Sequence, residues 1–122
     1  MIMSISNYAE NKLLDTIGGT SFSVTTPYLQ LHTGDPGEDG TSNAAGETTR
    51  QAATFGAASG GSMTTTANVT WTNVSTTETV SHWSAWDASS AGNCLWTGAL
   101  TSSASLEAGD TFQITSLTLT LD

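Results

Sequence analysis

TVSHWSAWDASSAGNCLWTGAL, running from Thr79 to Leu100, holds two apolar runs of strand length on either side of a short turn. In the first run, Thr79 to Trp86, apolar residues fall on both phases of a two-residue period: Val80 and Trp86 on one, Trp83 and Ala85 on the other. A strand of that kind is covered on both faces. Ala88 to Gly92 (ASSAG) offers nothing to pack and reads as a turn. Asn93 to Leu100 then returns with Cys94, Trp96, Gly98 and Leu100 alternating on one face. The two runs form a hairpin, and the chain around them is β.

Downstream, Thr101 to Leu106 is a further short strand, closed by the turn Glu107 to Asp110 (EAGD). The last run, Thr111 to Leu121, changes phase: Phe112 and Ile114 are even, Leu117, Leu119 and Leu121 odd. One regular strand cannot bury both sets, so a bulge is expected at Thr115-Ser116. Upstream, Thr66 to Val74 alternates Ala67, Val69 and Trp71 with Asn68, Thr70 and Thr72, giving one buried face and one polar ladder. Gly56 to Ser62 (GAASGGS) reads as a turn or short linker, and Glu47 to Phe55 as a strand rich in Thr and Ala.

Nearer the start, Tyr28 to His32 is a strand with Leu29 and Leu31 on one face. It runs into a loop, Gly34 to Glu47, whose Gly, Asp, Glu and Asn content gives no periodic burial. Its backbone is expected to find partners in water or in a neighbour. Ile5 to Ile17 is the one helix: Ile5, Tyr8, Ala9, Leu13 and Ile17 gather on an apolar face, Ser6 serves as N-cap, and Gly18 takes the left-handed stop. About six to eight short strands with turns between them predict a single mainly β domain over residues 1–122. The architecture is an antiparallel β-sandwich of jelly-roll or immunoglobulin-like kind, with one short N-terminal amphipathic helix.

Composition narrows the partners. Eleven acidic against two basic residues, Lys12 and Arg50, give a formal net charge of −9. Phosphate backbones and anionic lipid surfaces draw on Lys and Arg, so neither nucleic acid nor membrane is an expected partner. Cys94 is the sole cysteine, which excludes an intrachain disulfide or a thiolate zinc cluster, and its apolar setting marks it as a core residue. The opening MIMSIS is too short for a signal-peptide apolar region and lacks a basic lead, and no transmembrane run is present, so assembly in the cytoplasm is expected.

Several strings carry a family likeness: SNYAENKLLD (Ser6 to Asp15), LHTGDPGEDGT (Leu31 to Thr41), and Arg50-Gln51-Ala52-Ala53-Thr54-Phe55-Gly56-Ala57-Ala58. HWSAWD (His82 to Asp87), GNCLWTGAL (Gly92 to Leu100) and AGDTFQI (Ala108 to Ile114) follow in the same order. The chain resembles a family of small structural proteins of tailed bacteriophages and prophages, whose members are often labelled tail fibre or virion structural proteins. The resemblance implies a virion component, assembled in the bacterial host cytoplasm, and brings no catalytic residues.

The residues themselves offer little chemistry. Asp35, Glu38 and Asp39 have the oxygens that Ca²⁺ takes, but their spacing departs from the EF-hand pattern and reads as a solvated turn. His32 and His82 are read as structural, because Ser81 points away from His82 on a strand and no Gly-x-Ser-x-Gly elbow exists. Asn68-Val69-Thr70 and Asn73-Val74-Ser75 match the N-glycosylation triplet by chance. Trp71, Trp83, Trp86 and Trp96 belong to the core or a subunit interface rather than to a sugar platform. No catalytic, cofactor or metal residue is assigned.

A small acidic β domain without heptads or repeats suits a many-copy coat more than a long fibre. The expected function is a non-enzymatic capsid decoration or cement protein of the virion, bound to the major capsid protein or other virion proteins and self-associated as a dimer or trimer. The alternative is a tail fibre or neck appendage component, with receptor binding as one form of it. The expected interface residues are Tyr8, Leu13 and Ile17 from the helix and Asp35, Pro36, Glu38 and Asp39 from the loop.

Overall fold

The structure is a computed structural model that describes residues 4–121. Met1 to Met3, half of the opening that carried the expectation about targeting, lie outside the described residues. The described chain is mainly β with one helix, and all of its strand pairs are antiparallel. The strands are β1 (Ser4–Ile5), β2 (Tyr28–His32), β3 (Gln51–Ala52), β4 (Ser62–Thr64), β5 (Val69–Trp71), β6 (Glu78–Trp86), β7 (Cys94–Leu106), β8 (Phe112–Ile114) and β9 (Thr118–Thr120), with helix α1 at Asn7–Ile17. One sheet has the order β1-β7-β6-β2-β3, while β4-β9 and β5-β8 are two-stranded ribbons. A single buried cluster joins them in a sandwich-like arrangement: Leu29 and Leu31 of β2, Trp83 of β6, Trp71 of β5, Ile114 of β8 and Leu119 of β9 all belong to it.

The hairpin lies where the sequence puts it, with β6 fully buried from Trp83 to Trp86. Its partner is longer than expected: β7 absorbs Thr101 to Leu106 into one strand. The length is reconciled by two irregularities. Ala85 pairs with Trp96 and Trp86 with Cys94, leaving Leu95 extra, and the pairing jumps from His82–Ala99 to Val80–Ala104. These breaks end the strict alternation from Cys94 to Leu100, because each extra residue reverses which face follows it.

The terminal run breaks at the expected place and for a different reason. Rather than one bulged strand, Phe112–Ile114 pairs with β5 and Thr118–Thr120 with β4, so the chain changes partner across Thr115 and Ser116. The phase change lets Ile114, Leu117 and Leu119 all be buried, while Leu121 is half exposed. Part of the expected linker Gly56 to Ser62 is a tight hairpin turn. Gly60 and Gly61 adopt φ of +59° and +80°, and Ser59 and Ser62 exchange backbone bonds of 2.8 and 3.1 Å. The expected strand Glu47 to Phe55 contracts to Gln51–Ala52 plus an isolated bridge from Phe55 to Thr65.

The helix starts two residues later than its apolar period suggests, because Ser4 and Ile5 are drawn into the sheet opposite Thr97 and Trp96. Ser6 is the N-cap: its Oγ accepts from Ala9 N at 3.1 Å and donates to Cys94 O at 2.6 Å, tying the helix start to β7. The left-handed residue is Gly19 (φ +100°), not Gly18 (φ −77°). Thr20 N reaches Asp15 O at 2.8 Å and Gly19 N reaches Thr16 O at 3.1 Å, the paired bonds of a Schellman ending.

Candidate functional site

The helix and the loop, assigned separately from the sequence, meet at one end of the molecule. Asn7 N, an unpaired donor of the first helical turn, donates to Glu38 Oε1 at 2.8 Å. The carboxylate therefore sits at the positive end of the helix, where it is favoured. Around this junction lie Tyr8, Asp39, Trp86 and Cys94, lining a shallow cleft of about 410 Å³.

The loop is not open chain seeking outside partners. It closes on itself: Thr33 N donates to Asn43 O at 2.9 Å, Ser42 N to Pro36 O at 2.9 Å, and Ala45 N to Leu31 O at 3.0 Å. Asp35 Oδ1 accepts from Gly37 N, and Asp39 Oδ1 accepts from both the backbone and the hydroxyl of Thr41. The bonds from Thr41 hold the Asp39 carboxyl below its ordinary pKa. Pro36 is fully buried and anchors the loop from inside. Gly40 (φ +73°) packs so tightly that a Cβ there would lie 2.7 Å from Cys94 Sγ and 2.9 Å from Trp86 Cζ2.

Beneath the loop runs a buried polar chain. Trp86 Nε1–H donates to Ser84 Oγ at 2.7 Å, the Ser84 hydroxyl donates to His32 Nε2 at 2.7 Å, and His32 Nδ1–H donates to the Ser42 carbonyl at 2.9 Å. The carbonyl only accepts, which places a proton on Nδ1; in the neutral ring Nε2 is then the acceptor that the Ser84 hydroxyl meets. Burial lowers the His32 pKa from 6.5.

Arg50 is the other organiser of this end. Its guanidinium stacks 3.8 Å from the centroid of Trp86, while Nε donates to Gln30 Oε1 at 3.0 Å. Nη1 donates to the carbonyls of Ala88 at 2.9 Å and Ala91 at 2.7 Å, on the β6–β7 turn. Ala91 there has φ +51°, and Asp87 Oδ1 holds the following turn by accepting from Asn93 N at 2.7 Å. A second clip secures the loop's far end: Glu78 accepts from the backbone of Gly46 and Glu47, and Glu47 in turn accepts from Ser75 and Thr49.

Of the expected interface residues, Glu38 and Asp39 line the junction with Tyr8, and Asp35 is an exposed turn residue. Leu13 and Ile17 lie further along the helix, 37% and 84% exposed. Of the apolar stripe read from the sequence, Ala9 alone among the helical residues is buried. Leu13, with Phe22 and Trp96, lines a separate apolar groove of about 500 Å³ between helix and sheet. The buried Trp96 Nε1–H has no acceptor among the described residues.

The sequence reading missed Arg50, Gly40 and the His32 chain. The signal available for Arg50 was its rarity: one of two bases in the whole chain.

Cys94 is buried and its thiol is pushed up to about 11 by desolvation, so it stays protonated and unreactive near neutral pH. Among the described residues no group of three or more His, Cys, Asp or Glu is placed to hold a metal ion. The site is a surface assembled by packing and hydrogen bonds on a mainly β domain. The sequence matches the family model described as Podophage GP4 fiber I protein gp80 over residues 4–122, and the chain belongs to that family. It is thus a bacteriophage structural protein of fibre type. A search of curated proteins finds no match.

Proposed function

We propose that this chain is a non-enzymatic component of a podophage tail fibre, acting through surface contacts with neighbouring virion proteins. The observation that carries the reading is the family match across residues 4–122. It favours the fibre alternative over head decoration, the function first expected, because the family description names a fibre protein.

The geometry supports the reading in two ways. The end of the molecule formed by α1, the 34–47 loop and the β6–β7 turn is held by Glu38, Arg50 and the His32 chain, so a partner meets a surface that is already ordered. Preorganisation of that kind reduces the entropy lost on binding. The formal charge of −9 also sets like-charged particles apart and leaves basic or neutral protein surfaces as the favoured contacts.

Immunogold labelling of purified virions, with gel densitometry against the major capsid protein, tests the proposal. Label confined to the tail at low copy number supports it. Label over the whole head, at copy numbers comparable to the capsid protein, overturns it and restores the decoration reading.

A further inference from the structure

We infer that the 34–47 loop is an acid-released cover: protonation of His32 lifts it from the sheet and bares Cys94 and the rim of Trp86 beneath. The inference does not depend on where in the virion the protein sits.

His32 has no exposure and lies between two layers. On one side is the sheet, where it pairs with His82 of β6 and meets Ser84 Oγ at 2.7 Å. On the other is the loop, which sets the Ser42 carbonyl on Nδ1 at 2.9 Å and bridges to His32 through Ala44. Ser84 Oγ already accepts from Trp86 Nε1–H, and its own proton goes to His32 Nε2. A proton added at Nε2 therefore evicts the Ser84 proton from its acceptor. It also leaves a full charge without access to water.

No anion beside His32 compensates that charge. Its titratable neighbours are His82, opposite in the β2–β6 register, and Arg50, and both repel a cation. The carboxylates of the loop are engaged by other donors: Asp35 by Gly37 N, Glu38 by Asn7 N, Asp39 by Thr41 N and Glu47 by Ser75 N. Those on β6 and at its end are engaged as well, Glu78 by Gly46 N and Asp87 by Asn93 N. An imidazolium at this position is relieved by reaching solvent.

Of the two layers, the loop is the one that can yield. β2 and β6 are both interior strands of the five-stranded sheet, paired on each side. The loop keeps its shape through bonds within itself: Ser42 N to Pro36 O, Gly40 N to Gly37 O and Thr41 N to Asp39. Its ties to the body at this end are the Ser42 and Asn43 carbonyls, Ala45 N and the Glu38 carboxylate. Once those part, residues 36–42 swing out as a unit. Gly40 lies so close over the layer beneath that a Cβ there would stand 2.7 Å from Cys94 Sγ, so the same motion uncovers the thiol.

Labelling of Cys94, the sole cysteine, tests the inference on the full chain. The probe is a pyridyl disulfide that reacts with thiols at acid pH, and each rate is divided by that of glutathione in the same buffer. An open form that titrates near 6.5 and a closed form that titrates lower should raise the normalised rate at least about fivefold between pH 7.5 and 5.0, with a ceiling of about 30-fold. His32→Asn keeps an N–H for the Ser42 carbonyl and cannot titrate, so its rate should stay flat. Glu38→Gln removes the loop's carboxylate tie to the helix and should keep the wild-type response. NMR titration of the wild type checks the trigger without a variant: amide shifts of Thr33 and of Gly40 to Asn43 should follow the His32 ring and not the His82 ring. A flat wild-type rate, a response retained in His32→Asn or lost in Glu38→Gln, loop amides that follow His82, or labelling that rises only with loss of far-UV ellipticity would each overturn the inference.

Discussion

Replacing Gly98 by alanine should destabilise the protein by driving a methyl group into an indole that has no room to move. Gly98 lies opposite Trp83 across β6 and β7, and a Cβ there would stand 2.5 Å from Trp83 Cζ2 and 2.8 Å from Cε2. Ordinary contact needs about 3.5 Å, so the ring must retreat by about 1 Å. It cannot do so freely: Trp83 is 3% exposed, and its partner on the other side is Leu31, with no exposure at all. Overpacking of this kind costs about 1–3 kcal/mol, and the lower chain entropy of alanine in the unfolded state returns about 0.4–1. The net loss is then about 1–2 kcal/mol, or ~4–8 °C in thermal midpoint at this size. The assay is a double-mutant cycle with Trp83→Leu, read by denaturant melts. Trp83→Leu is itself destabilising, but in that background the alanine should cost nothing or stabilise slightly, giving a coupling of at least about 1 kcal/mol. Equal penalties in both backgrounds, within about 0.5 kcal/mol, would refute the steric account.

Other expectations follow from the same contacts. His32 is held neutral with its pKa below 6.5, so the unfolded chain takes up the proton first as pH falls. Its contribution is complete above about pH 6.5 and declines on acidification with a slope of up to ~1.4 kcal/mol per pH unit until the depressed pKa is reached. Denaturant melts at pH 7.5 and 5.5 should show this slope in the wild type and its loss in His32→Asn. Arg50→Lys keeps the charge but loses the fork that spans Gln30, Ala88 and Ala91 and the stack on Trp86. A loss of about 1–3 kcal/mol is expected, with faster amide exchange at Ala91 to Asn93 by NMR. Gly40→Ala combines a left-handed backbone with contacts of 2.7 and 2.9 Å to Cys94 and Trp86. It should cost at least about 2 kcal/mol and expose Cys94 to a thiol reagent, an effect absent in Gly60→Ala, where a Cβ meets nothing within 4 Å. Glu38→Gln should weaken the helix start by about 0.3–1 kcal/mol, visible as lower helical ellipticity.

The strands were legible where burial has a period. Leu29 and Leu31, Val69 and Trp71, and the doubly covered run to Trp86 read directly as sheet, and the hairpin turn at Ala88 to Gly92 followed from its lack of anything to bury. What the sequence concealed is held by side-chain bonds of long sequence separation. Glu47 accepting from Ser75, Glu38 accepting from Asn7 and Arg50 reaching Ala88 leave no periodic trace. The loop from Gly34 to Glu47 looked unpartnered because its partners are its own backbone and a buried proline. Partner choice was equally hidden: the phase change at Thr115-Ser116 marks a break, and only the fold shows that the two halves go to β5 and β4. Ile5 carried the helical period yet went to the sheet, a tertiary override of a local pattern.

The scarcity of positive charge has a consequence for digestion. Trypsin-like proteases cut after lysine or arginine and need several residues in extended form, and this chain offers them Lys12 and Arg50 alone. Lys12 lies within α1, whose outer half presents Leu14 and Ile17 to solvent, while Arg50 is engaged with a ring and three oxygens. Cleavage at each site therefore requires a different opening: peeling of the helix for one, and release of the loop and turn for the other. The two fragment patterns act as separate clocks, timing the loosening of the periphery and of the body in a single digest.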